Sequence, residues 1–168
     1  MKILVISDSH GDVVSIQKII SLHRDAELLI FLGDGLRDLA VATESIPSTM
    51  ATVSVCGNCD FFSLGSLAAR DEETLTVGGR RIFITHGHKY GVKGGLGTLA
   101  AAAFARGADI VLFGHTHEPH ESFVEIDGRS IRLFNPGSVG RPHDRFTHYG
   151  LLDIRDNGVL FSAAILRD

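Results

Sequence analysis

Hydrophobic and polar positions alternate along this chain in blocks, and the block pattern changes part-way. Residues 2–7 form a β-branched apolar run ending in polar residues, which predicts a strand. Over residues 13–23 the apolar positions Val13, Ile16, Ile19, Ile20 and Leu22 recur near helical spacing, with Asp12 placed as the N-cap. Residues 27–32 read as a second buried strand, 36–45 as a second helix and 51–56 as a third strand. This β-α-β alternation predicts a mainly parallel sheet with covering helices.

The second half is richer in strands. Gly78-Gly79 separates segments 72–77 and 80–85, Asp127-Gly128 separates 121–126 and 130–134, and Asn157-Gly158 separates 150–154 and 159–166. Each has the form of a hairpin. Residues 94–106 are glycine-rich and then alanine-rich, a loop leading into a helix, and 109–113 is another apolar strand. The expected fold class is α/β: two mixed β-sheets packed face to face with helices outside. The chain shows no repeat, linker or low-complexity stretch, so one domain over residues 1–168 is expected.

Composition narrows the function more than the fold. With 44% apolar and 21% charged residues the chain is ordinary globular material. A net charge of −4 argues against broad binding of nucleic acid or an anionic membrane. It leaves room for a phosphorylated substrate, because a local metal charge outweighs the global sign. No apolar run approaches the roughly 20 residues that span a bilayer, and the first apolar run is too short for a signal peptide. A cytoplasmic location is expected. The two cysteines, Cys56 and Cys59, cannot make a disulfide scaffold.

The polar residues fall where chemistry is expected. Asp8 and His10 follow the first strand, Asp34 the second and Asn58 the third; His86 ends the 80–85 strand, and His115 and His117 follow the 109–113 strand. In α/β sheets sites form at the carboxyl ends of strands, and here five strands each end on a candidate metal ligand. In extended chain, residues i and i+2 project to one side, so Asp8/His10 and His115/His117 could each aim two groups at one place. Aspartate, histidine and asparagine suit Mn, Fe, Zn, Ni or Co better than a closed structural zinc site. Seven ligands exceed the need of one tetrahedral ion. Shared between two ions roughly 3.5–4 Å apart, they make an open centre suited to in-line phosphoryl displacement.

The ordered series D-x-H, G-D, G-N, H-G and G-H-T-H resembles the motifs of calcineurin-like metallophosphoesterases, above all the small single-domain bacterial and archaeal members. Thr85-His86-Gly87-His88 and Phe134-Asn135-Pro136-Gly137-Ser138 resemble their additional signatures. The resemblance implies a four-layer α/β/β/α sandwich. It implies that Asp8, His10 and His117 hold one divalent ion, that Asn58, His86 and His115 hold the other, and that Asp34 bridges them. Mn²⁺ is the favoured metal, with Zn²⁺, Fe, Ni²⁺ or Co²⁺ as alternatives. The implied reaction is attack on phosphorus by a hydroxide held between the ions, with no covalent enzyme intermediate. Many members carry histidine directly after the asparagine; this chain carries Cys59. A thiol with an ordinary pKa of about 8.5 is an unusual acid, so His88 or Asp60 becomes a candidate in its place.

Plainer readings exist for each residue. Asp8 alone could cap a helix, and Asp34 and Asn58 alone could be turn residues; in series they point to a site. His23, His143 and His148 are expected to be surface or structural, and His120 not a ligand. Cys56 reads as a core residue rather than half of a redox pair. The glycines from Gly91 to Gly97 suggest a loop near the site, and Arg141, Arg145 and Lys89 are candidate substrate contacts. The function expected is metal-dependent hydrolysis of a phosphate ester, most of all a phosphodiester. The partner is then the substrate itself, with no membrane, no stable nucleic acid and a homodimer as the guess for assembly. The alternative is a non-catalytic protein-interaction scaffold on the same fold.

Overall fold

The computed structural model describes residues 1–60 and 70–167, and it shows two five-stranded sheets facing each other. The strands are β1 (Lys2–Ile6), β2 (Leu28–Phe31), β3 (Ala51–Ser54), β4 (Glu72–Val77), β5 (Arg80–Thr85), β6 (Ile110–Leu112), β7 (Pro119–Ile126), β8 (Arg129–Pro136), β9 (His148–Arg155) and β10 (Gly158–Ile165). The helices are α1 (Val13–Leu22), α2 (Leu36–Ala42) and α3 (Gly97–Ala105). The first sheet runs β10-β9-β1-β2-β3 and the second β4-β5-β6-β8-β7.

Each sheet contains a run of three parallel strands, at one side of the first sheet and at the centre of the second. In the first, β1 pairs in parallel with β2, and β2 with β3; in the second, β5 pairs in parallel with β6, and β6 with β8. The three expected hairpins β4–β5, β7–β8 and β9–β10 supply the antiparallel pairs. Pairing of β9 with β1, antiparallel, brings the chain's last hairpin onto its first strand.

Alternation along single strands explains the layers. In β1, Leu4 and Ile6 pack with Ile16, Ile19 and Ile20 of α1, whereas Ile3 and Val5 pack between the sheets. In β8, Phe134 joins that inter-sheet core while Leu133 turns outward to Leu99, Ala100 and Ala103 of α3. Strands apolar on both faces must be covered on both, which is why these read as unbroken apolar runs. The order is therefore helices, sheet, sheet, helix, as expected.

Boundaries moved in places. The helix expected over 36–45 ends at Ala42 and finishes as a 3-10 turn, Thr43–Ser45. Asp12 caps α1 as expected, accepting from the Ser15 backbone at 3.0 Å. The loop before α3 contains two 3-10 turns, His88–Tyr90 and Val92–Gly94. Among the described residues no helix is long and apolar enough to cross a membrane.

Candidate metal centre

The carboxyl ends of β1, β2, β3, β5 and β6 converge at one edge of the sandwich. Around that point three groups of side chains place donor atoms within 4.8 Å of one another: Asp8, His10 and His117; Asp34, His86 and His115; and His10, Asp34 and Cys59. Asn58 joins the second group, its Oδ1 lying 3.2 Å from His86 Nε2. The seven candidates of the sequence pattern thus come together.

They do not do so by the route expected. Asp8, His10, His115 and His117 are not on extended strand, because β1 ends at Ile6 and β6 at Leu112. Their φ angles are 56°, 45°, 70° and 62°, and that of Asp34 is 56°. Left-handed backbone is uncommon outside glycine and costs on the order of 1–3 kcal/mol per residue where it is strained. Five of the seven such residues among those described are candidate ligands. The paired side chains converge through left-handed turns, not through the strand pleat.

Carboxylates and backbone groups hold these turns. Asp60, buried, accepts the backbone N–H groups of Asp34, Gly35, Leu36 and Gly57 at 2.8, 2.9, 2.9 and 2.8 Å. Both of its oxygens are used, so it is a brace for the Asp34 and Asn58 loops and not the acid considered from sequence. Asp38 accepts from Ser9 Oγ at 2.6 Å and from the Gly11 N–H at 2.7 Å. Ser138 Oγ donates to the Asp8 carbonyl at 2.8 Å, and Asn135 Nδ2 donates to the Gly114 carbonyl at 2.9 Å. Close packing requires glycine at two points. A Cβ on Gly57 would stand 2.1 Å from Asp34 Oδ1, and one on Gly114 would stand 2.1 Å from Ser7 Oγ.

Hydrogen bonds also fix which histidine nitrogens face inward. His86 Nδ1 lies 2.8 Å from the Leu32 carbonyl and His117 Nδ1 lies 2.9 Å from the Arg141 carbonyl. A carbonyl only accepts, so each Nδ1 carries a proton and each Nε2 is the nitrogen left to face the cluster. Those Nε2 atoms meet carboxylate oxygens: His117 to Asp8 Oδ1 at 3.2 Å and His86 to Asp34 Oδ2 at 3.4 Å. His10 Nε2 is 3.8 Å from both Asp8 Oδ1 and Asp34 Oδ2.

The electrostatics are those of a cation site. Asp8 is fully buried; its Oδ2 accepts from Ser7 Oγ at 2.5 Å and from the His115 N–H at 3.1 Å, while its Oδ1 has no hydrogen-bond partner. An unmatched buried acceptor costs about 1–3 kcal/mol, more when charged. A divalent ion at that point would satisfy it. Burial works against ionisation of Asp34, but His86 and the Cys59 backbone N–H outweigh it and hold the carboxyl well below the usual carboxylate range. For His86, too, burial opposes the charge, and the Asp34 and Asp8 carboxylates overcome it and raise the imidazole. The nearby Asp8 carboxylate raises His117. Desolvation lowers His10, and desolvation together with the His86 charge takes His115 down to about 4.

Other candidates sort themselves around this cluster. His88 is half-buried with its ring 5.4 Å from that of His86, and its Nδ1 has no partner. Desolvation and then the Asp34 carboxylate push the Cys59 thiol up to about 11, which makes it a weak proton donor. Lys89 is engaged with Asp71 at 2.6 Å. His120 is exposed and bonds Ser122. His148 is buried on Asp144, and His23 bonds Tyr149. Cys56 is half-buried against the core that packs α1 and α2 on the first sheet. His143 is at the surface, as expected, with its ring 6.1 Å from that of His117 and its Nδ1 2.9 Å from Glu118. The Pro142 turn carries it there, and no spacing in the sequence signals it. Asp38 carries no signal in the sequence, whereas Asn135 and Ser138 stand in the Phe134–Ser138 motif.

A family model described as calcineurin-like phosphoesterase superfamily domain matches residues 1–157. The chain belongs to this superfamily. The calcineurin-like phosphoesterases use divalent metal ions, and the donor set above fits such ions. Among relatives, the chain is 35% identical to the probable metallophosphoesterase YsnB of Bacillus subtilis, over 94% of this chain and 86% of that protein. It is 28% identical to the phosphodiesterase YfcE of Escherichia coli K12, over 91% and 88%. A solved chain from Streptococcus pneumoniae TIGR4, a predicted phosphoesterase, superposes with a TM-score of 0.77 at 26% identity, covering 98% of this chain and 88% of that one.

Proposed function

We propose that this phosphoesterase is a two-metal phosphodiesterase. Asp8, His10 and His117 hold one ion, Asn58, His86 and His115 the other, and Asp34 lies between them. The observation that carries this reading is the pair of interlocking donor groups with a buried Asp8 oxygen lacking any hydrogen bond. When bound, the two ions supply an activated water at neutral pH and a clamp on the phosphoryl oxygens. Mn²⁺ is the metal proposed for activity.

The chain's own residues do the rest. Asp34, ionised, lies within 3.8 Å of His10 on one side and 3.4 Å of His86 on the other, the place of a bridge. Two carboxylates against two divalent ions leave a net positive charge, which attracts the anionic phosphate ester. His88 stands beside the cluster with its pKa lowered by burial, a neutral imidazole able to hydrogen-bond a phosphoryl or leaving-group oxygen. With Cys59 where many members carry histidine, protonation of the leaving group is weak, so aryl esters are preferred over alkyl esters.

The test strips the protein with chelator and restores Mn²⁺. It then compares an aryl phosphodiester with an aryl phosphomonoester, with Asp34→Asn and His86→Ala as controls. Restored hydrolysis that favours the diester and is lost in both controls is the expected result. No turnover with Mn²⁺, Ni²⁺, Co²⁺ or Zn²⁺, despite bound metal and intact fold, moves the reading to a non-catalytic scaffold. Alkyl-ester turnover equal to aryl-ester turnover would remove the claim about the missing acid.

A further inference from the structure

We propose that Cys59 is itself a metal ligand, adding a thiolate to the ion held by Asp8, His10 and His117. The inference rests on the two-metal reading above.

Its basis is geometry. Cys59 Sγ, a His10 ring nitrogen and an Asp34 oxygen lie within 4.8 Å of one another. Metal bonds of about 2.0–2.1 Å to nitrogen and 2.3 Å to sulfur set ligand atoms about 3.5–4.4 Å apart around one ion, so small side-chain rotations bring the trio onto it. His10 belongs both to this trio and to the group with Asp8 and His117, so His10 links Cys59 to the ion on that side. The buried, unpartnered Asp8 Oδ1 points at the same place, 3.8 Å from His10 Nε2.

The neighbouring amide is oriented for this role. Asn58 Oδ1 faces His86 at 3.2 Å, and Asn58 Nδ2 donates to Cys59 Sγ at 3.3 Å. One side chain thus directs its oxygen to the ion on the His86 side and its N–H to a sulfur acceptor on the His10 side. The Cys59 backbone N–H, bonded to Asp34 Oδ1 at 2.7 Å, ties the cysteine to the bridging carboxylate. Asp8 approaches from the buried side, and Cys59 from the exposed side.

Chemical consequences follow. As the sulfur–metal bond forms, the S–H bond breaks and its proton leaves to solvent. A soft thiolate favours Co²⁺ or Zn²⁺ over Mn²⁺ at that position. Cys59 is then unavailable as an acid, and His88 is left as the polar group on the leaving-group side.

The test uses the full chain, stripped by chelator and titrated with Co²⁺ under nitrogen. A sulfur-to-cobalt charge-transfer band in the near ultraviolet should grow with added Co²⁺, persist in Cys56→Ser and vanish in Cys59→Ser. That variant should still bind two cobalt ions, with its preference for Co²⁺ over Mn²⁺ reduced at least about tenfold. Should Cys59→Ser fold poorly, alkylation of wild-type Cys59 by iodoacetamide gives the same answer: Co²⁺ should slow it and chelator restore it. Two bound cobalt ions without the band, or a band unchanged in Cys59→Ser, overturn the thiolate and leave the two-metal reading intact. A folded protein that binds no cobalt overturns both.

Discussion

The two sheets meet at one cluster but bring different chemistry to it. From the loops after β1, β2 and β3 come Asp8, His10, Asp34, Asn58 and Cys59, which include every anionic donor. From the loops after β5 and β6 come His86, His115 and His117, nitrogen donors only. Each sheet also fixes the other's groups. The Leu32 carbonyl, just past β2, orients His86, and the His115 N–H, just past β6, holds Asp8 Oδ2. The difference teaches that neither sheet carries a complete centre: charge comes from one, soft neutral donors from the other, and the inter-sheet core sets their separation.

Neighbouring residues on β8 test that statement with the largest effect. Phe134 packs between the sheets and Leu133 packs against α3, both fully buried. Phe134→Ala should cost about 3–5 kcal/mol and Leu133→Ala about 2–5 kcal/mol, read from urea unfolding. Only Phe134→Ala should also weaken metal binding in protein that is still folded, measured by calorimetric titration. Equal loss of affinity at matched stability would show that sheet spacing does not govern the centre.

Asp60→Ala comes next, because it strips four backbone N–H groups of their acceptor. Each unmatched buried donor costs about 1–3 kcal/mol, partly recovered by water, so a loss of roughly 3 kcal/mol is expected. Metal affinity should fall about 10–100-fold, the usual effect of removing a group that orients ligands. The anionic side should suffer first, since Asp34 and Gly57 are the residues released. A stability loss with unchanged affinity would make Asp60 a purely structural residue.

Much of this was legible from the residues. The apolar runs at residues 2–7, 27–32 and 109–113 are buried on both faces, so their strand character shows without alternation. The glycine-bearing hairpins are local and were placed correctly. The candidate ligands are legible because each follows an apolar run. How they converge is not. Left-handed φ at Asp8, His10 and Asp34 sits in loops braced by Asp60, Asp38 and Ser138, whose bonds to Asp34, Ser9, Gly11 and Asp8 span 26 or more residues. Such contacts are tertiary and leave no periodicity to read. The approach of the exposed His143 to His117 has no sequence signal for the same reason, since the turn after Gly140 has no repeating pattern.

Ser138→Ala should have a smaller effect, on a brace that reaches the first sheet from β8. Its hydroxyl donates to the Asp8 carbonyl and accepts from the Arg141 N–H at 2.9 Å. Loss of about 1–2 kcal/mol in thermal unfolding is expected, with metal affinity down about tenfold. Because the Arg141 carbonyl orients His117, Ser138→Ala should weaken the ion on the His10 side before the one on the His86 side. The thiolate-to-cobalt band would report that order during a titration.

The smallest effect concerns protons on the second sheet's histidines in metal-free protein. His115 falls to about 4 when folded, against an ordinary 6.5, through desolvation and then the charge of His86. Between those values the unfolded chain takes up a proton that the folded chain refuses, so this group removes stability as pH falls from about 6.5 to 4. His86 and His117 shift upward, and their contribution runs the other way, complete below 6.5 and lost as pH rises through their folded values. His115→Gln should therefore flatten the acid side of the stability curve, read as melting temperature in chelator at about pH 7 and pH 4.5. An unchanged slope would mean that His115 is as solvated folded as unfolded. The same contrast governs metal capture: a proton competes with the ion at His86 and His117 but not at His115. Affinity lost on mild acidification should therefore track the two histidines that face Asp34 and Asp8, where the carboxylates of the first sheet hold the proton in place.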